Sequence, residues 1–140
     1  MAAKGRPERV KVRTRSYMDS GLCNLEVNRK NRVGFTIKYR APHRVDERED
    51  LASGDLAFIS EMAPAGLARD RLEPTLTVRY QRTTLVGPGP SSRVTIDTEL
   101  EAFDRSGHEV VLGDFVVVET KNLGRANAFD RLLWTHHVRP

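Results

Sequence analysis

Apolar and cationic side chains alternate near the start of this chain, and the alternation limits the backbone structure to a β-strand. Residues 9–17 read RVKVRTRSY, with valine at every other position at first and Lys11, Arg13 and Arg15 in between. Successive side chains of a β-strand point to opposite faces of its sheet. The pattern therefore predicts a strand with one apolar and one strongly basic face.

The same period recurs in the next segments. Leu22–Arg29 leads through a polar turn into Val33–Arg40, where Lys38 and Arg40 share the face opposite three apolar residues. Connections of a few residues favour antiparallel pairing, since a parallel crossover needs about a dozen residues or more. The first 40 residues thus predict an antiparallel meander.

The rest of the chain mixes helix and strand patterns. Helices are predicted at Val45–Ala52, at Leu56–Met62 with Asp55 as its cap, and at Arg125–His136. Strands are predicted from Thr75 onward, over Arg93–Phe103, after the turn Asp104–Gly107, and over Phe115–Thr120. The fold class is α+β, dominated by antiparallel sheet, and the length predicts a single domain over residues 1–140.

Composition excludes several classes of protein. A single cysteine excludes a disulfide scaffold, and no apolar run approaches the roughly 20 residues of a transmembrane segment. The start has no secretion signal, so we expect a cytoplasmic protein. Nucleotide-binding glycine loops and paired zinc cysteines are absent from the sequence. We interpret Cys23 as a structural residue and assign no role to His43, His108, His136 and His137.

The charge is distributed unevenly. Residues 1–40 hold eleven Lys/Arg and three Asp/Glu, a balance of +8, whereas residues 41–140 hold twelve and sixteen, a balance of −4. Such a basic region attracts polyanions such as nucleic acid, nucleotides or condensed phosphate. Because only 6% of residues are aromatic, base stacking on exposed rings is a weak expectation.

Two interpretations of the basic alternation stay open. The cations could simply form the solvated side of a half-buried sheet. Enclosed in a barrel, they would repel one another and lose hydration unless water or an anion filled the space. Glu119 follows three valines, where a buried charge needs a partner. The partner could be Lys121 or an arginine, or a divalent metal bound to phosphate.

Six stretches resemble, in order and spacing, the VTC domain family, the polyphosphate polymerase domain of the vacuolar transporter chaperone complex and its bacterial relatives. They are Lys11–Tyr17, Leu25–Lys30, Thr36–Arg40, Tyr80–Thr84, Arg93–Leu100 and Val118–Lys121. The resemblance spans residues 9–140. It implies the triphosphate tunnel fold of the CYTH-like superfamily, an antiparallel barrel whose hydrophilic interior holds a chain of phosphates.

The resemblance also implies roles for individual residues. The expected reaction transfers the terminal phosphoryl of ATP to polyphosphate, with ATP, polyphosphate or pyrophosphate as ligands and no nucleic acid. The implied catalytic residues are Arg13, Arg15, Lys38, Arg82 and Arg93; the implied substrate-binding residues are Lys11, Arg40, Glu26 and Lys121. Glu119 is the implied ligand of Mn²⁺ or Mg²⁺.

The chain departs from the family pattern in three places. Asn28 stands where a lysine is more usual, and the chain is expected to lack a strand or strand-like stretch at each end. An incomplete barrel exposes sheet edges, so a homodimer or a partner chain completing it is an expectation. The alternatives are a triphosphate hydrolase of the same fold, a non-catalytic sheet that binds polyphosphate or nucleic acid, and an inactive remnant.

Overall fold

Two antiparallel sheets and two short helices make up the structure, a computed structural model that describes residues 10–31, 33–64, 67, 72–88, 92–121 and 124–139. The predicted α+β class is confirmed. The elements are β1 Val10–Tyr17, β2 Leu22–Lys30, β3 Thr36–His43, α1 Ser53–Met62, β4 Thr77–Val86, β5 Arg93–Phe103, β6 Glu109–Leu112, β7 Val117–Lys121 and α2 Ala128–Thr135. The chain divides into two compact units, Met1–Glu73 and Pro74–Pro140, so the single domain stays a prediction.

The first unit is the predicted meander, with β2 in the middle of a three-stranded sheet. Its register places Arg13 of β1 and Arg40 of β3 on either side of Glu26. The neighbouring row aligns Val12, Val27 and Tyr39 on the opposite face. The period of two in the sequence therefore becomes two chemically distinct faces.

Helix α1 covers the apolar face of this sheet. Leu25, Val27 and Ile59 are fully buried there and form one cluster with Ala63. Removing such side chains from water stabilises the fold by about 1.5–3 kcal/mol each. Helix α1 begins three residues before the predicted start at Leu56, so the prediction that Asp55 precedes the helix is wrong: the N-cap residue is Ala52. Asp55 lies in the first turn, where its carboxylate accepts a 2.8 Å hydrogen bond from the backbone N–H of Ala52.

The predicted helix over Val45–Ala52 is wrong, since this segment forms a turn. The guanidinium of Arg48 donates to the backbone carbonyl of Val45 at 3.0 Å. The Thr14 hydroxyl, from β1, donates to the Arg48 carbonyl at 2.7 Å. Side-chain bonds to backbone groups compete with helical hydrogen bonds, and here they favour the turn.

In the second unit, β5 is the central strand. It pairs with β4 along one side, while β7 and β6 pair with its first and last residues on the other. The β4–β5 register shifts between Arg79 and Gln81, and the extra residue lies on β5, where Glu99 has a φ of 52°. This β-bulge separates a polar half of the sheet from a more apolar half.

Helix α2 begins with a reciprocal capping box. The Asn127 side chain accepts from the Asp130 N–H at 3.0 Å, and the Asp130 carboxylate accepts from the Asn127 N–H at 2.8 Å. The Thr120 hydroxyl of β7 also donates to Asp130, which ties the helix to the sheet. This confirms a helix within the predicted range Arg125–His136.

Neither helix is long and apolar enough to cross a membrane, among the residues that the structure describes. The strands described pair within their own sheets, so the closed barrel and the completion of its edges by another chain stay predictions.

Candidate functional site

One surface of the first unit concentrates positive charge. We call it the basic face: the polar side of the β1–β2–β3 sheet, opposite α1. Because side chains alternate along each strand, it carries six cationic residues and, within the described residues, one carboxylate, that of Glu26. The cations are Lys11, Arg13, Arg15, Lys30, Lys38 and Arg40.

Glu26 lies at the centre of the basic face and is only 1% exposed. Arg13 donates from Nε to Oε2 at 2.7 Å, and its Nη2 lies 2.6 Å from the same oxygen. Arg40 donates from Nε to Oε1 at 3.0 Å. Two arginines on the outer strands are thereby held by one buried carboxylate on the middle strand.

This arrangement determines the protonation state of Glu26. Burial disfavours the charged carboxylate, but the hydrogen bond and charge of Arg13, with the charges of Arg15 and Arg40, outweigh it. The pKa of Glu26 is therefore held below its ordinary value. The carboxylate is ionised near neutral pH, and among the described residues the basic face then holds five more cationic than anionic side chains.

The neighbouring row adds two cationic side chains to the basic face. Lys11 and Lys38 flank Asn28 in register. The amide oxygen of Asn28 is buried and has no hydrogen-bond partner among the described residues. This row places one cation on each side of Asn28.

The second unit has a smaller polar surface, the mixed face, formed by β4, β5 and β7 on the N-terminal side of the bulge in β5. Arg82 stands opposite Asp97, Thr95 opposite Glu119, and Arg93 opposite Lys121. Like charges directly opposite each other, as in the last pair, destabilise a sheet, and an anion between them relieves the repulsion.

Arg82 is fixed in place. Its Nε and Nη2 donate to the two oxygens of Asp97 at 2.6 and 2.7 Å, and its guanidinium lies 4.9 Å from the centre of the Tyr80 ring. The hydrogen bond to Asp97 raises the pKa of Arg82, against the opposing effect of burial. A bidentate pair of this kind is closed on itself and gives the guanidinium one orientation.

Glu119 differs from its sequence-based description. Its side chain is 55% exposed, so the expected cost of burying this charge does not arise, and Lys121 Nζ lies 3.7 Å from its carboxylate. Its cross-strand neighbour Thr95 is 4% exposed, with a hydroxyl that has no hydrogen-bond partner among the described residues.

These donors fit one kind of metal site. No group of three or more His, Cys, Asp or Glu side chains forms a cluster in the described part of the chain. A dedicated protein cage is therefore not present in those residues. The exposed Glu119 carboxylate beside an unsatisfied hydroxyl does fit a divalent ion that takes most of its oxygen ligands from phosphate and water.

The structure brings the predicted site residues together in two sets. Lys11, Arg13, Arg15, Glu26, Lys38 and Arg40 share the basic face; Arg82, Arg93, Glu119 and Lys121 share the mixed face. Their individual roles stay predictions. Sequence reasoning missed Lys30, Thr95 and Asp97 on these faces. The period of two from Arg93 was a signal that could have identified Thr95 and Asp97.

Residues given no role have ordinary surroundings. Cys23 is buried in β2 and accepts a hydrogen bond from Ser16 at 3.2 Å. His43 packs with Nε2 3.3 Å from the Asp55 carboxylate, and His108 lies in the exposed turn beside Asp104.

The described residues thus define an α+β protein with two antiparallel sheets, each with a helix on one face and a cation-bearing polar face on the other. The family model of the VTC domain matches residues 2–140, and the chain belongs to this family. Membership suggests a function related to polyphosphate. No curated protein and no solved structure matches the chain at a significant level.

Proposed function

We propose that this chain is a polyphosphate polymerase-like domain that binds ATP and polyphosphate and transfers the terminal phosphoryl of ATP to the growing chain. The observation that carries the proposal is the basic face, where Arg13 and Arg40 converge on Glu26 among four further cations. Glu26 is the one carboxylate of this face among the described residues, and a chain of phosphates would supply further negative charge to Arg13, Arg15 and Arg40.

The chemistry suits such a surface. Phosphoryl transfer needs little beyond positioning of the phosphates and neutralisation of developing charge. Guanidinium groups bind phosphate oxygens through two parallel hydrogen bonds and do not lose their charge at physiological pH. Arg13, Arg15, Lys38, Arg82 and Arg93 would contact the phosphates, with Lys11, Arg40 and Lys121 adding affinity. No protein nucleophile is required.

A divalent metal, Mn²⁺ or Mg²⁺, is part of the proposal. Glu119 would hold it, with the Thr95 hydroxyl beside it. When bound, the ion neutralises charge on the phosphate oxygens. The proposal also includes the closed tunnel that the family resemblance implies.

An activity assay tests this function. The protein is incubated with ATP and Mn²⁺, and long-chain polyphosphate and free phosphate are both measured. We expect polyphosphate from the wild type and little from Arg93→Ala. Arg44→Gln is the matched control, because Arg44 is an exposed arginine of the turn after β3 that lies on neither face. Its product yield should equal that of the wild type.

Each other outcome has a definite meaning. Free phosphate without polyphosphate would replace polymerase activity with triphosphate hydrolysis. Neither product from folded protein would refute phosphoryl transfer. Equal loss of activity in Arg93→Ala and Arg44→Gln would show that the mixed face has no special part in the reaction.

A further inference from the structure

We propose that Glu26 is a positioning residue that orients Arg13 and Arg40 toward a bound phosphate chain and does not itself touch substrate or metal. The inference rests on the proposed function, which it deepens. It also replaces the substrate-binding role that the resemblance implied for Glu26 with an indirect one.

The Glu26 carboxylate is not accessible to a ligand. Glu26 is 1% exposed, and its two oxygens accept from the Nε atoms of Arg13 and Arg40 at 2.7 and 3.0 Å. A metal or a phosphate-bound water would have to displace a guanidinium to reach either oxygen. Direct ligation by Glu26 therefore conflicts with the geometry.

Glu26 orients the guanidinium groups of Arg13 and Arg40. Glu26 contacts Nε and Nη2 of Arg13 and only Nε of Arg40. Glu26 therefore contacts only the side of each guanidinium that faces it. Nη1 of Arg13 and both Nη atoms of Arg40 do not contact Glu26. The outer groups have the planar donor geometry that binds phosphate oxygens.

The negative charge of Glu26 also offsets repulsion among the arginines around it. Arg13 and Arg40 flank Glu26 on neighbouring strands, and Arg15 is close enough to lower its pKa as well. Without a negative charge between them, these guanidiniums would repel one another and turn toward solvent, where they sample many rotamers. Binding a phosphate would then require ordering them first, which lowers affinity.

The positioning role predicts that neutralising Glu26 lowers the affinity for an anion, although the net positive charge rises. If Glu26 acted only through its charge, removing that charge from an anion-binding surface would tighten anion binding. If it positions the arginines, the neutral variant Glu26→Gln binds more weakly in spite of its extra net positive charge. The two readings therefore differ in direction and not only in size.

The test is calorimetric binding of tripolyphosphate to the full chain. We expect Glu26→Gln to weaken binding at least tenfold. The matched control is Glu47→Gln, which removes the same charge in the turn after β3, where the Glu47 side chain is 53% exposed. This control should change the affinity for tripolyphosphate less than twofold. Glu26→Asp keeps the charge but shortens its reach, and should also weaken binding.

A double-mutant cycle separates positioning from a general structural role. Because Glu26 acts partly through Arg40, Glu26→Gln should cost several-fold less affinity in an Arg40→Gln background than in the wild type. Additive losses would overturn the proposal. If Glu26→Gln does not fold, the comparison passes to Glu26→Asp, with and without Arg40→Gln.

The outcomes also distinguish this inference from the proposed function. Absence of tripolyphosphate binding by the folded wild type would refute the proposed function. Wild-type binding together with equal or tighter binding by Glu26→Gln would refute only the positioning role of Glu26.

Discussion

The basic face and the mixed face use the same element, a largely buried carboxylate that holds arginine, in two ways. Glu26 bridges two arginines from different strands, whereas Asp97 forms a closed bidentate pair with Arg82. In the part of the chain that the structure describes, six cations accompany one carboxylate on the basic face, whereas three cations accompany two carboxylates, Asp97 and Glu119, on the mixed face. The first surface has unbalanced charge, and the second is nearly balanced.

The two faces are therefore suited to different tasks: the basic face attracts polyanions, and the mixed face holds charged groups in fixed positions. An excess of cations raises the local concentration of polyanions over distances of about a Debye length, roughly 8 Å at physiological ionic strength. A balanced surface attracts less but can place a metal carboxylate beside fixed cations. We therefore expect changes on the basic face to alter mainly the affinity for phosphates, and changes on the mixed face to alter activity, stability or metal dependence.

The largest effect should come from breaking the closed pair. Arg82→Ala leaves Asp97, 7% exposed, without its partner, and the free energy of unfolding should fall by about 3 kcal/mol. Arg82→Ala/Asp97→Ala should be less destabilising than Arg82→Ala alone. Denaturant unfolding measures both. A double variant less stable than the single one would contradict the closed-pair description.

On the basic face, Arg13→Ala should weaken tripolyphosphate binding by about 1.5–3 kcal/mol, the range for hydrogen bonds to charged groups. The loss corresponds to roughly 10- to 150-fold in Kd. Calorimetry measures it, with Arg44→Gln as the control. An equal loss in the control would show that net charge, and not the basic face, determines affinity.

Glu119→Gln should act on metal dependence. Added Mn²⁺ should strengthen tripolyphosphate binding by the wild type, and we expect the variant to lose about tenfold of that enhancement, or about 1.4 kcal/mol. Binding without metal should be unchanged or slightly tighter, because a negative charge is removed. An enhancement equal to that of the wild type would exclude Glu119 as the metal ligand.

The smallest effect concerns acid stability. Because the folded-state pKa of Glu26 is lowered, its contribution to stability is complete above the unfolded-state pKa, about 4.3. It is lost as the pH falls through the folded-state value. Between pH 7 and pH 4 the wild type should lose only a small part of the stability that Glu26 contributes. Glu26→Gln should not show this part of the pH dependence. Thermal unfolding at both pH values measures the difference.

Much of the fold could be predicted because the strands carry their periodicity in the sequence. β5 has the predicted bounds, Arg93–Phe103, and β1 is a strand over Val10–Tyr17 as predicted, while Arg9, the first residue of the predicted strand, lies outside the described residues. The segment Val45–Ala52 was predicted wrongly because its acidic composition favours helix, while its hydrogen bond from Thr14 arises only when β1 is in place.

The site was partly predictable for the same reason. Alternation shows which cations share a strand face, but the register between strands is a tertiary property. The pairing of Arg13 and Arg40 through Glu26 depends on that register, as does the pairing of Arg82 with Asp97. The exposure of Glu119 was also hidden, because the valines before it looked like core residues and are themselves exposed.

The decisive experiment is a calorimetric titration of the folded wild-type chain with tripolyphosphate, with and without Mn²⁺ and at two salt concentrations. We predict saturable binding that strengthens with Mn²⁺ and weakens as salt rises, since unbalanced cations on the basic face drive it. No heat of binding in any of the four conditions, from protein with an intact unfolding transition, would contradict the account.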